Sequence, residues 1–137
     1  MKIKIIMMLL MVWMHILDDF VLQPIWLSKG KQKSWWDKEL ENDKFLHNIC
    51  KNDYKMALFI HSLSWTISIM IIPLLLLPFK EISSILIYLF LFIANLFIHY
   101  ILDDLKANKH MVNLINDQCC HLAQIILTCT VFNCMYP

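Results

Sequence analysis

A single glycine and four prolines among 137 residues leave no glycine-rich loop to cradle a phosphate or a dinucleotide. A net charge of +1 gives no basic face, which excludes nucleic acid as a partner. The five cysteines are an odd number without framework spacing, and no C-x-x-C occurs, so a disulfide scaffold is a poor description. Cys119, Cys120, Cys129 and Cys134 lie instead in an apolar run, where cysteine packs as a small hydrophobe. What the chain has in excess is apolar surface. It is 59% hydrophobic with a mean hydropathy of +0.58, above the share of an ordinary soluble domain. Its length suits one domain, residues 1–137.

The apolar residues fall into four runs, expected as helices over about residues 3–23, 54–77, 82–106 and 113–135, each long enough to cross a hydrocarbon core of about 30 Å. The first begins with Lys2 and Lys4 and resembles a signal peptide. No small-residue cleavage site follows, and the run continues through Asp18-Asp19-Phe20-Val21-Leu22-Gln23 until Pro24 stops it. The expectation is a retained span. Pro78-Phe79-Lys80-Glu81 is so short a link that the helices on either side must be antiparallel. The expected architecture is therefore all-α, a polytopic membrane protein built as a four-helix antiparallel transmembrane bundle.

Residues 24–53 form the one polar stretch. Six lysines from Lys29 to Lys51 alternate there with acidic residues, and Trp26, Trp35 and Trp36 stand among them. Tryptophan beside lysine marks the headgroup layer, consistent with an interfacial loop carrying a short helix around Trp35 to Cys50; a solvated loop fits the weak periodicity equally well. Lys29 to Lys51, Lys106 and Lys109 lie on one side, against Lys2, Lys4 and Lys80 on the other. The positive-inside rule then puts the first side in the cytoplasm.

Within the spans the polar residues keep a pattern. His15 and Asp19, His99 and Asp103, and Asp117 and His121 are each four apart, so each pair shares a helix face. His61 stands alone in the second run. In the expected topology all seven fall at the same end of the bundle. A charged side chain inside a bilayer costs at least about 2.5–3.5 kcal/mol, so these groups must face inward and satisfy one another, water or a cation. Imidazoles and carboxylates are the ligands of zinc, manganese and iron, and helix bundles build metal sites from such inward pairs. The expected cofactor is a divalent metal, zinc or manganese, as one or two ions; two ions sharing an aspartate would suit phosphoester or amide hydrolysis. Asp18, Asp104 and Gln118 adjoin the ligands as second-sphere or base groups, and Lys106 is placed to meet a phosphate. A proton-relay or hydrogen-bond network is the competing account of the same residues. Asn95 fits either interhelical glue or a ligand-supporting role. Ser62 and Ser64 near His61 show no base–orienter arrangement for a nucleophile.

The pattern His15-x-x-x-Asp19-Phe20-x-Leu22-Gln23, then His61, then His99-x-x-x-Asp103-x-x-Lys106, then Asp117-Gln118-x-x-His121 resembles domain-of-unknown-function family 3307, small integral membrane proteins of bacteria and phages. The resemblance spans nearly the whole chain; it implies the membrane fold and the retained polar residues, and no activity. The long Lys/Trp insert before His61 departs from the family pattern. A more distant similarity is to membrane-bound metal-dependent hydrolases with histidine-rich helices. Two functions follow as expectations. One is a metal-dependent hydrolase acting on a phosphoester or lipid-like substrate at the cytoplasmic leaflet. The other is a non-enzymatic membrane protein, either an ion or proton pathway or a phage effector that binds a host membrane protein.

Overall fold

The computed structural model describes residues 2–78 and 81–136, apart from the Lys2 side chain. Phe79 and Lys80, in the tight link expected between the second and third runs, lie outside the described residues, as do the Lys2 and Lys80 side chains used to judge orientation. Among the described residues the chain is 85% helical and has no strands. Helix α1 covers Lys2–Ile16 and runs on into a π-helical stretch, Leu17–Leu22. Three short helices follow: α2 (Ile25–Gly30), α3 (Lys33–Glu39) and α4 (Lys44–Cys50). The long helices α5 (Asp53–Leu76), α6 (Ile82–Ala107) and α7 (Leu114–Met135) complete the fold. Four helical segments are long and apolar enough to cross a membrane.

Local chemistry accounts for the boundaries. The Asp43 side chain accepts from the amides of Phe45 and Leu46 at the start of α4, and Asn113 accepts from the Asn116 amide at the start of α7; both satisfy donors that a helix N-terminus leaves orphaned. Gln23 N–H reaches back five residues to Asp18 C=O at 3.1 Å, which closes the π-helical stretch before Pro24 ends it. Residues 24–53, expected as a loop with one short helix, carry three. The Asn108 side chain bonds the α2–α3 junction from both sides, accepting from Lys33 N–H at 2.7 Å and donating to Lys31 C=O at 3.1 Å. That contact explains why the insert is not a free loop.

The four long segments close a ring, α1 against α5, α5 against α6, α6 against α7 and α7 against α1. Lys4 near the start of α1 donates to Asn133 C=O near the end of α7 at 3.2 Å, and His15 at the other end of α1 meets Gln118 near the start of α7 at 3.0 Å. The ring interior has two layers. Met7, Met11, Trp65, Ile69, Met70, Cys129 and Phe132 form an apolar layer. The other layer is polar: His15, Asp18, His61, Asn95, His99, Asp103, Asp117, His121 and Gln124 are all buried. The outer surface is the reverse, with Leu9, Trp13, Phe90, Phe97 and Leu127 among many exposed apolar side chains. Apolar side chains exposed in such number suit contact with lipid or a partner surface.

Candidate metal centre

The six residues singled out by their spacing and the lone His61 meet in one network. His61 on α5 is its hub. Its Nε2 lies 3.2 Å from His99 Nε2, 3.3 Å from Asp103 Oδ2 and 3.4 Å from Asp19 Oδ1. His121 Nε2 lies 3.3 Å from Asp117 Oδ1 and 3.7 Å from Asp103 Oδ1. Asp103 therefore presents one oxygen to each half of the cluster. Two groups, Asp19–His61–His99 and His99–Asp103–His121, offer ligand atoms all within 4.8 Å of one another, and so have the spacing to hold a metal ion.

Hydrogen-bond partners fix which atoms carry lone pairs. Gln124 donates its amide NH₂ to the Asn95 backbone carbonyl at 3.2 Å, an acceptor that cannot donate. Its Oε1 then faces His121 Nδ1, 3.3 Å away, so Nδ1 carries a proton, and in the neutral imidazole Nε2 is left with a lone pair. Nε2 points at the carboxylate oxygens of Asp117 and Asp103. Among the buried atoms with no hydrogen-bond partner are His121 Nε2, Asp117 Oδ1 and Asp19 Oδ1. Acceptors that face acceptors without a donor between them call for a cation or a proton. In a tetrahedral zinc site, bonds of about 2.0–2.1 Å put neighbouring ligand atoms about 3.3 Å apart. The three contacts around His61 Nε2, at 3.2, 3.3 and 3.4 Å, match that edge length.

His15 sits differently. The Trp65 indole N–H donates to its Nδ1 at 2.7 Å, and its Nε2 meets Gln118 Oε1 at 3.0 Å. Both ring nitrogens are thereby engaged, so His15 belongs to the frame around the metal groups. Gln118, expected as second-sphere or base, passes the contact on by donating to Asp19 Oδ2 and Asp117 Oδ2, each at 3.3 Å. Asp18 is buried and accepts from Ser64 and Ser68 at 2.7 and 3.1 Å; its other oxygen is 3.9 Å from His61 Nδ1, on the side of the ring away from the cluster. Ser64 thus acts as a support for Asp18. Asp104 is not brought to the cluster. It accepts from Asn108 at 2.9 Å and pairs with Lys109 at 3.2 Å, and its place five residues after His99 explains the divergence, since only i+3 and i+4 share a face.

Two lysines close the cluster from outside. Lys106 Nζ is 2.5 Å from Asp117 Oδ2, and Lys31 Nζ is 2.6 Å from Asp103 Oδ2. Both line a cavity of about 420 Å³, with Asp19, Gln23, Ser28, Gln32 and Asp103 also in its wall. His110 lines it too, held in the left-handed region at φ 54°. A smaller pocket of about 50 Å³ is also lined by Lys31 and Lys106 and reaches His61 and Gln118.

Sequence reasoning missed Lys31 and Trp65. Lys31 reaches the site only through the fold of the insert and carries no local signal. Trp65 does carry one, being four residues after His61 on the same face. Its ring stacks on His99 at 4.2 Å and 19° and also meets His121 at 5.4 Å, while His99 and His121 lie 4.2 Å apart at 30°, so Trp65 packs against both imidazoles. Asn95 serves as both glue and support: it donates to Thr128 on α7 at 2.9 Å and its carbonyl holds Gln124. No family model, curated protein or solved structure matches this chain.

Proposed function

We propose that this chain is an integral membrane protein, a four-helix bundle with neighbouring spans antiparallel, that holds a divalent ion and hydrolyses a phosphoester or lipid-like substrate at the cytoplasmic leaflet. The observation that carries this reading is the set of buried acceptor atoms facing one another beside a cavity lined by lysine. Charge supports it as well. Asp18, Asp19, Asp103 and Asp117 supply four carboxylates against the two ammonium groups of Lys31 and Lys106, a deficit that one divalent ion balances. The inside-out distribution of polarity supports a bilayer setting. The lysines of the insert, together with Lys106 and Lys109, support a cytoplasmic site. Kinship with domain-of-unknown-function family 3307 would fit the same picture, because most of the residues that suggest it stand in the cluster or in the cavity wall.

In this reading Asp19, His61, His99 and Asp103 Oδ2 hold the ion, and zinc or manganese suits their nitrogen and oxygen donors. Bound there, the ion supplies Lewis acidity toward a phosphoryl oxygen. The remaining work falls to the chain. His121, its Nε2 kept bare by Gln124 and flanked by Asp117, takes the proton of the attacking water. Lys31 and Lys106 neutralise the phosphoryl oxygens. Burial keeps bulk water from the ion and strengthens each of these contacts. A through-going ion or proton pathway is less well supported, because Met7, Met11, Cys129 and Phe132 close the bundle beyond Thr128 with apolar side chains.

Trace-metal analysis of the detergent-purified chain tests the proposal, with His99→Ala and Asp103→Asn alongside. Near-stoichiometric zinc or manganese in the wild type, lost from both variants, is the expected result, together with chelator-sensitive release of phosphate from phosphatidic acid. A folded wild type that binds no divalent ion overturns it.

A further inference from the structure

Asp103 Oδ2 has two claimants. It lies 3.3 Å from His61 Nε2, where it would serve an ion, and 2.6 Å from Lys31 Nζ. Asp117 sits one contact further off, with Oδ1 toward His121, whose Nε2 also faces the other oxygen of Asp103, and Oδ2 held by Lys106. An ammonium group and a divalent ion on the same carboxylate repel each other, so filling the cluster loosens Lys31 from Asp103 directly; the same added positive charge, acting through the low-dielectric interior, weakens the hold of Asp117 on Lys106. The freed side chains have somewhere to go, since both line the same pair of cavities. Lys31 is also well anchored for this. Asn108 holds the backbone at Lys31 and Lys33, and the Trp36 indole donates to Gly30 C=O at 2.9 Å, which leaves the side chain as the part that can move.

We infer that Lys31 and Lys106 are exchangeable counter-ions, which a bound divalent ion frees to clamp a phosphate monoester group in the adjoining cavity. The inference rests on the metal-hydrolase reading and names the substrate class of that site. It orders the events: ion first, phosphate second. Before the ion arrives, each lysine guards a carboxylate that would otherwise be buried with unbalanced charge. Afterwards, two ammonium donors converge on an anion, an arrangement suited to a phosphoryl group with several acceptor oxygens. The phosphate has two possible sources, a free anion or a lipid headgroup. Phe20 and Leu114 line the smaller pocket and are 60% and 55% exposed on the apolar surface, which gives an acyl chain a place beside the headgroup.

The test measures binding of inorganic phosphate and of dihexanoyl phosphatidic acid to the detergent-purified full chain by calorimetry, metal-free and saturated with Mn²⁺. Lys31→Gln, Lys106→Gln, Lys31→Arg and the exposed control Lys38→Gln are compared, each checked for a monodisperse helical state. Saturation with Mn²⁺ is expected to tighten phosphate binding by roughly 10-fold or more in the wild type, a step the size of one charge-assisted contact. Lys31→Gln and Lys106→Gln should bind Mn²⁺ at least as tightly as the wild type and lose that gain; Lys31→Arg and Lys38→Gln should keep it. Tighter binding of the lipid than of phosphate assigns the headgroup, and equal binding assigns the free anion; both support the clamp. Phosphate affinity indifferent to Mn²⁺, or unchanged in both glutamine variants, overturns the inference while leaving the metal centre intact. A wild type that takes up no Mn²⁺ removes the metal reading and this inference together.

Discussion

Trp65 donates its indole N–H to Nδ1 of His15 across 2.7 Å, with both rings buried. An indole nitrogen can only donate, so this one contact decides the tautomer of His15: the proton of a neutral ring is on Nε2, facing Gln118 Oε1. From there the Gln118 amide turns its NH₂ to Asp19 and Asp117. A tryptophan in the apolar layer thus sets the direction of hydrogen bonding across three helices.

The first prediction concerns that anchor. Trp65→Phe keeps most of the aromatic floor under His99 and removes the donor, which leaves His15 Nδ1 buried and unsatisfied. The expected cost is about 1–3 kcal/mol, read as a lower thermal midpoint in detergent, with metal content retained because His15 is not part of either metal group. A midpoint equal to the wild type would show that the contact anchors nothing.

Substitutions at His121 and Gln124 test whether His121 is base or ligand. If His121 takes the proton from water, His121→Ala should lower hydrolysis by about 10²–10⁴-fold and leave one ion bound. Gln124→Leu should lower kcat by a smaller factor with KM little changed, since Gln124 only positions the ring. Measured ion content decides the matter. Loss of the ion along with activity in His121→Ala would move His121 from base to ligand.

Neighbouring aspartates on α6 should behave in opposite ways. Asp103 touches His61, and its other oxygen faces His121, whereas Asp104 is bound to Asn108 and Lys109. Asp103→Asn is expected to abolish stoichiometric metal and Asp104→Asn to leave it unchanged, by the same trace-metal assay. Equal loss in both would mean that the cluster does not bind the ion.

That contrast shows what the sequence made legible. The four apolar helices could be read from run length, and the common end of the polar residues from connecting their positions, because a period of 3.6 and an i, i+4 pair are local facts. The division of labour within the set was not local. Asp18 and Asp104 look alike as neighbours of a ligand, yet Asp18 lies three residues after His15 and turns inward to Ser64 and Ser68, while Asp104 lies five after His99 and turns out. His15 has the same i, i+4 spacing as His99, and only the fold shows the Trp65 indole against its Nδ1 and Gln118 at its Nε2. Lys31 depended on how an insert with weak periodicity folds back onto Asn108, a contact between residues more than seventy positions apart, and no pattern in the insert points to it.

Orientation can be tested with two native cysteines. Cys50 ends α4, just before α5 on the side of the His/Asp cluster, and Cys134 is exposed one residue before the end of α7. α7 starts beside the cluster at Asp117 and runs away from it past the apolar layer at Cys129 and Phe132. The two thiols therefore belong to opposite ends of the bundle. A membrane-impermeant maleimide, followed by peptide mass spectrometry, should modify Cys50 in inverted inner-membrane vesicles and Cys134 in right-side-out ones. The reverse pattern would keep the spanning bundle but place the cavity outside the cytoplasm, where the lysines of the insert would violate the positive-inside rule. Labelling of both thiols from one side would contradict a bundle that spans the bilayer, since the polar layer and the apolar layer would then lie at the same face of the membrane.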